Sequence, residues 1–297
     1  MPLRELSLFL LVALMFAAGN VLARYMISHM GIPPLFYASM RYLIAAGALA
    51  HLIWPMPRPR GPLIAGTLLL GVFSFGLFYL ALQTVDASSA SVVGLSQSPM
   101  GVLLAMSLLG ERASTQRILG IVLTLSGVAL VIYRPDGFHG SLGLWIVLAS
   151  SFCAALGSII CRKLVDISPL RIQAWSAVIC FAVLAPISAA VEQGQLDAAI
   201  AAGWRFIAAV LFMGLIVSVV ALTLFLRFLQ RYDASLMAAL NLLMPLFTVT
   251  LGVLLLGEPF DWRMIAGTIL ACIGVIVVTY RSSSGRSPDS AEHLPTG

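Results

Sequence analysis

Arg41 is the one basic residue that falls inside an apolar run and not at its edge. About two turns into that run, an unpaired charge costs roughly 2.5–3.5 kcal/mol on an insertion scale, so Arg41 needs a partner or water. A substrate carboxylate is one such partner, and a protein group such as Asp86, whose loop lies on the same side, is another. Three amides, Asn20, Gln97 and Asn241, sit at mid-depth in other runs. Polar groups there are costly toward lipid, so these turn inward, to bridge helices or to touch a substrate. Phe75, Phe78, Tyr79 and Leu82 follow i, i+3, i+4, i+7 spacing and form one aromatic stripe. Such a stripe belongs to the core or to lipid, or it faces a cavity; in the last case it suits a flat or apolar side chain, with Trp175 contributing from further along the chain. Pro99 and Pro245 each free a backbone carbonyl one turn earlier, which bends the helix and exposes polar backbone to a cavity or to packed protein. Ser96 and Ser98 flank Gln97 beside the first of these kinks. All of this is binding chemistry.

Bond-making chemistry has little support. There is no HExxH and no paired-aspartate cluster, and His29, His51, His139 and His293 fall at run ends or in loops. Cys153, Cys161, Cys180 and Cys272 lie in apolar runs without CxxC or Cys/His spacing, so they read as small core hydrophobes and no metal site is expected. Lys163 is the one lysine, which removes any GxxxxGK[ST] phosphate loop, and no cofactor is expected. Every Asp and Glu is at a run end or in a loop, not within the membrane where proton-coupled carriers commonly hold a carboxylate, unless the fold draws Asp86 or Glu111 inside. That favours movement of a solute down its own gradient. Glu111 and Glu258 open short loops and read as helix caps or loop anchors.

The elements that must position these groups are membrane helices. Of 297 residues, 60% are apolar and 10% charged, with a mean hydropathy of +1.02. A soluble domain is roughly half apolar and a quarter charged. Apolar runs recur at 5–27, 34–54, 62–82, 87–109, 115–133, 141–163, 170–191, 204–227, 234–256 and 262–280, which predicts an all-α membrane protein of ten spans. The first run is read as a span and not as a cleaved signal, because the same pattern recurs along the chain. Residues 282–297 lack apolar periodicity and are expected to form a disordered cytoplasmic tail. The net charge of +5 is spread between the runs as a topology signal, not gathered into a nucleic-acid-binding patch. Twelve basic residues fall on the side of the termini and four on the other, which places both termini in the cytoplasm.

The chain also repeats itself. A shift of 147 positions lays 86–134 on 233–281 with 18 identities in 49 residues, including Gly110-Glu111 on Gly257-Glu258, Gly120 and Gly127 on Gly267 and Gly274, and Tyr133-Arg134 on Tyr280-Arg281. Two halves follow, 1–135 and 136–281, of five spans each. Because five is odd, the second half enters from the opposite side, giving an inverted repeat suited to alternating access around a site between the halves. The glycine pairs, seven residues apart on one helical face, permit close helix contact, either within the bundle or along a homodimer seam.

Pro99, Gly110-Glu111, Gly120 and Gly127, with their counterparts Pro245, Gly257-Glu258, Gly267 and Gly274, and the Arg41-Tyr42 pair, resemble the EamA-type branch of the drug/metabolite transporter superfamily over nearly the whole chain. The likeness departs where the second half has no arginine matching Arg41, and where the two prolines are one residue out of register. It implies a ten-helix inner-membrane exporter or permease of small metabolites, with bacterial amino-acid exporters the nearest subgroup. Its partners would be a small-molecule substrate and the lipid bilayer. A membrane enzyme or a scaffold that moves nothing are the competing classes; the scaffold would have a closed bundle with no central cavity.

Overall fold

The computed structural model describes residues 3–110, 114–133, 142–161, 164, 167–232, 237 and 240–280. Among them every regular element is helical. Seven helices are long and apolar enough to cross a membrane: α1 (Arg4–His29), α3 (Arg60–Ala81), α4 (Ala87–Leu108), α5 (Thr115–Ile132), α6 (Leu142–Cys161), α7 (Pro169–Val191) and α8 (Trp204–Phe228). Three more helices lie on expected runs: α2 (Pro34–Ala48), α9 (Leu243–Leu256) and α10 (Trp262–Tyr280). The second run was expected to reach residue 54, but α2 stops at Ala48 and a 3₁₀ turn, Ala50–Leu52, follows it. A short helix, Gln195–Ala202, fills the 192–203 connection, where no element was expected. The expected tail, Glu111 and residues 233–236 at the start of the second repeated segment lie outside the described residues.

Local chemistry sets the helix ends. Pro34 and Pro169 occupy first-turn positions, where a missing N–H costs nothing. Gly110 and Gly257 close α4 and α9 with φ of +68° and +65°, a left-handed conformation that suits glycine. The two residues are matched by the 147-residue shift, so the repeat extends to backbone conformation.

Helices α1, α2, α3, α6, α7 and α8 pack around one interior, while α4, α5, α9 and α10 form a second group beside it. The closest pairing is α5 with α10. They run antiparallel, with Gly120 facing Gly274 and Gly127 facing Gly267. A Cβ on Gly127 would lie 2.5 Å from the Ala271 nitrogen and 2.6 Å from the Gly267 oxygen, so backbone meets backbone. The glycine faces thus occupy each other within the chain. Exchange of the two halves converts Gly120–Gly274 into Gly267–Gly127, and three more sets of helix contacts follow the same exchange: α1–α9 matches α4–α6, α2–α8 matches α3–α7, and α3–α6 matches α1–α8.

Candidate functional site

Two helices matched by the repeat, α3 and α8, carry π-helical stretches at Leu68–Ser74 and Phe212–Ala221. A π turn inserts an extra residue and leaves carbonyls turned out of the ladder, a distortion common at functional sites. In α8 the Ser218 hydroxyl donates to the Met213 carbonyl at 2.8 Å, and in α3 the Tyr42 hydroxyl donates to the Gly71 carbonyl at 3.4 Å. Both distortions border one cavity of about 500 Å³, which is walled by α1, α2 and α3 and by α6, α7 and α8.

The polar lining of this cavity is Arg41, Tyr42, Thr67, Gln173, Ser176 and Ser218. Thr67 and Ser176 join α3 to α7 through a 3.0 Å hydrogen bond. The rest is apolar, with Phe16, Leu70, Phe75, Ile172, Val217 and Leu222 prominent. Arg41 lies at the deep end with 6% of its surface exposed. One terminal guanidinium nitrogen donates to the Tyr79 hydroxyl at 2.7 Å. The guanidinium carbon sits 4.5 Å from the Phe75 ring centroid, 4.9 Å from that of Tyr42 and 5.8 Å from that of Tyr79. Its Nε–H is buried without an acceptor, and no described carboxylate pairs with it. Asp86, the protein partner the sequence offered, instead pairs with Arg24 at 3.5 Å.

The cavity is bordered at one end by Cys161, Leu164, Ile167 and Pro169, and by Leu226 of α8. The other end of this helix group is closed. There the Glu192 carboxylate, just past α7, accepts the Leu35 and Phe36 N–H groups at the start of α2 at 2.8 and 2.9 Å, and the Ser188 hydroxyl at 2.6 Å. Phe36 stacks on Phe206 at 5.7 Å, and Arg24 donates to the Leu82 carbonyl beside its pair with Asp86. Glu258 does similar work in the second group, accepting the Ala87 and Ser88 N–H groups at 2.7 and 2.9 Å and the Ser88 hydroxyl. It caps a helix of the first half, as a carboxylate at a helix N-terminus should.

Of the residues singled out in the sequence, the structure brings together Arg41, Phe75 and Tyr79, with Phe78 behind them, 6.1 Å from the Tyr79 ring. The stripe therefore divides: Phe75 lines the cavity, while Tyr79 and Leu82 are buried. Asn20, Gln97, Trp175 and Asn241 are not among the lining residues, and neither are Pro99 and Pro245. Asn20 is half-buried on α1 and Gln97 is exposed on α4. The Trp175 N–H and the Asn241 carbonyl oxygen are buried without partners. The prolines do distort their helices: Ser96 and Leu242, each three residues upstream, have ψ of −20° and −18°, a 3₁₀-like tightening. Those helices belong to the second group, which removes the prolines and Gln97 from the cavity wall. Thr67, Gln173, Ser176 and Ser218 were not anticipated. Single hydroxyls and amides within apolar runs were the available signal, but the chain has many of them.

Among the described residues no group of three His, Cys, Asp or Glu side chains could hold a metal ion. The cavity can hold a small solute, desolvate it, and offer it one cation, a few neutral hydrogen-bonding groups and an apolar wall.

Comparison with known proteins agrees with this geometry. A Salmonella typhimurium protein named probable amino-acid metabolite efflux pump is 28% identical over 285 residues, covering 91% of this chain and 93% of its own. An Escherichia coli protein of the same name is 26% identical over 82% of this chain and 85% of its own. A Bacillus subtilis protein named uncharacterized transporter YvbV is 24% identical over 86% and 85%. A crystal structure of a protein 17% identical superposes on 96% of this chain and 99% of its own length with a TM-score of 0.58, which supports the fold. The EamA-like transporter family matches twice, over residues 3–133 and 141–280, and the chain, a multi-pass membrane protein, belongs to that family.

Proposed function

We propose that this transporter exports small metabolites, amino acids and their close derivatives, by alternating access and down their own gradients. The observation that carries the reading is Arg41: a nearly buried cation, unpaired by any described carboxylate, at the deep end of a cavity walled by helices from both halves. Substrate carboxylate would complete its coordination, and Phe75 with the apolar wall would take the side chain. The architecture is ten spans in two inverted five-helix repeats, 1–135 and 136–281, a reading supported by the antiparallel α5–α10 crossing and by the exchange of contacts between halves. Both termini lie in the cytoplasm, so the cavity mouth beside Cys161 and Pro169, on the arginine-rich side, faces inward. Pro99 and Pro245 set the curvature of the group that braces the moving helices. Asn241 and Trp175, with unpaired buried polar atoms, and Asn20 and Gln97 are substrate contacts in states other than this one. A homodimer would form through surfaces other than the paired glycine faces.

The test is counterflow in liposomes loaded with unlabelled amino acids. Saturable uptake of labelled ones is expected without an imposed proton gradient. Arg41→Ala should lose at least about tenfold of the rate, the scale of a charge-assisted contact. Gln97→Ala, which removes a neutral contact made only in another state, should lose less than Arg41→Ala. Absence of exchange by folded protein would overturn the amino-acid cargo and favour another permease class or a scaffold. Exchange that strictly requires a proton gradient would overturn the facilitative mechanism.

A further inference from the structure

We infer that the preferred cargo is a carboxylate whose α-nitrogen or α-carbon substituent carries no charge, a 2-oxo acid or an N-acylated amino acid, in preference to a zwitterionic amino acid. This rests on the cavity being the transport site, and it narrows the cargo within that reading.

Arg41 is the one charged residue lining the cavity among the described residues. A carboxylate seated against the cavity-facing part of its guanidinium places the α-substituent roughly 5 Å from the guanidinium carbon, one charge-assisted contact and two bonds away. A cation at that distance is repelled, and a partly desolvated site screens the repulsion poorly. An α-ammonium also needs acceptors to replace its water. The described lining offers it no carboxylate. Aromatic faces are the usual substitute for an anion, but the rings nearest this position, Tyr42 and Phe75, already lie against the Arg41 guanidinium at 4.9 and 4.5 Å. An ammonium would therefore arrive beside a cation and find its aromatic partners in use.

A neutral α-substituent meets the opposite situation. The Gln173 amide lines the cavity with no hydrogen bond to another described residue, so it can donate to a ketone or amide oxygen and accept from an amide N–H. Thr67 and Ser176, bonded to each other, keep further donor and acceptor capacity. Leu70, Ile172, Val217 and Leu222 supply an apolar wall for the side chain. One fixed cation, several neutral polar groups and apolar surface match a monocarboxylate with a neutral polar α-group.

The experiment uses full-length protein in liposomes. Phenylpyruvate, N-acetyl-L-phenylalanine, L-phenylalanine and L-phenylalaninamide compete against counterflow, and a leucine series repeats the ranking with a smaller side chain. The oxo and N-acetyl acids are expected to compete at concentrations at least about tenfold below phenylalanine, the scale set by one like-charge contact. The amide, a cation without a carboxylate, should not compete. Gln173→Leu should narrow the gap between the N-acetyl acid and phenylalanine, and Arg41→Gln should abolish the ranking. Phenylalanine competing as well as or better than its neutral-nitrogen analogues would overturn the inference and leave amino-acid export intact. Failure of all four compounds and of the leucine series to compete or exchange would overturn the transport-site reading, and the inference with it. The wild-type ranking decides the matter even if a variant does not fold.

Discussion

At Arg41 the cost of a membrane-embedded cation, roughly 2.5–3.5 kcal/mol on the insertion scale, must be offset by nearby groups. Each aromatic face against the guanidinium contributes about 0.5–2 kcal/mol, and the 2.7 Å hydrogen bond to Tyr79 about 1.5–3 kcal/mol as a bond to a charged group. These contributions suffice without a carboxylate, so the arginine does not depend on a ligand to fold, and the part of its guanidinium that borders the cavity is free of any described carboxylate. The Tyr79 hydroxyl fixes the direction of that group. Tyr79→Phe keeps the ring, and with it the tilted ring contacts with Tyr37 and Phe78, but frees the guanidinium to turn. Its half-saturation concentration for counterflow should rise about three- to tenfold, less than the full bond because water can reach the cavity. Tyr42→Phe, losing a long 3.4 Å contact to Gly71 and a weak bond with the Cys180 thiol, neither of which touches Arg41, should change it by less than about twofold. Equal effects from the two variants would mean that Tyr79 does not orient Arg41.

At the scale of elements, the tightest constraint is the α5–α10 crossing. A Cβ at Gly127 would meet Ala271 and Gly267 backbone atoms, which cannot give way as a flexible side chain does. Gly127→Ala is therefore expected to destabilise the protein by about 2 kcal/mol or more, the range for overpacking, seen as a lower thermal midpoint in detergent. Gly101→Ala, also helical but with nothing within 4 Å of its Cβ, should show no loss. Because alanine is the better helix former, backbone preference alone would stabilise both variants, and similar losses at both sites would mean that the crossing is not what Gly127 protects. The glycines of α5 and α10 were legible because their spacing repeats in both halves, and most helix ends were legible because Pro, Gly and charge interrupt the apolar runs. The π stretches of α3 and α8 were not. Their sequences, LLLGVFS and FMGLIVSVVA, suit a regular helix equally well, and the extra residue reflects packing against other helices. The site was legible only in part for the same reason: Arg41 and Phe75 announce themselves by type and depth, whereas Thr67, Gln173 and Ser176 matter only because α3 and α7 place them together. Gln97 and the prolines failed to join them because mid-depth position does not specify which helices surround the cavity.

On the scale of the whole molecule, the alternating access proposed for two halves with exchangeable contacts calls for two states of similar energy, and small local terms then decide which one dominates. In the state described, the end of the α2–α7 pair away from the cavity mouth is held by Glu192, whose two oxygens take two N–H groups from the first turn of α2 and one hydroxyl from α7. This joins the halves directly, and opening that end must break it. Glu192→Gln replaces one acceptor oxygen by a donor facing an N–H, which should weaken the closure by about 1–3 kcal/mol. With states within about 1.4 kcal/mol of each other, a shift of that size moves a substantial share of the population. Cys161, which lines the cavity near its mouth, reports the change. In a variant keeping Cys161 as its one cysteine, an impermeant maleimide applied from the cytoplasmic side should label the parent readily. Glu192→Gln should reduce that labelling about two- to fivefold while raising protection of Cys161 in step with slower exchange. Glu192→Asp, too short to span both N–H groups but still charged, should fall between them. Unchanged labelling in Glu192→Gln, with the protein folded and exchanging at the parent rate, would mean that this carboxylate caps α2 without governing which side of the membrane the cavity faces.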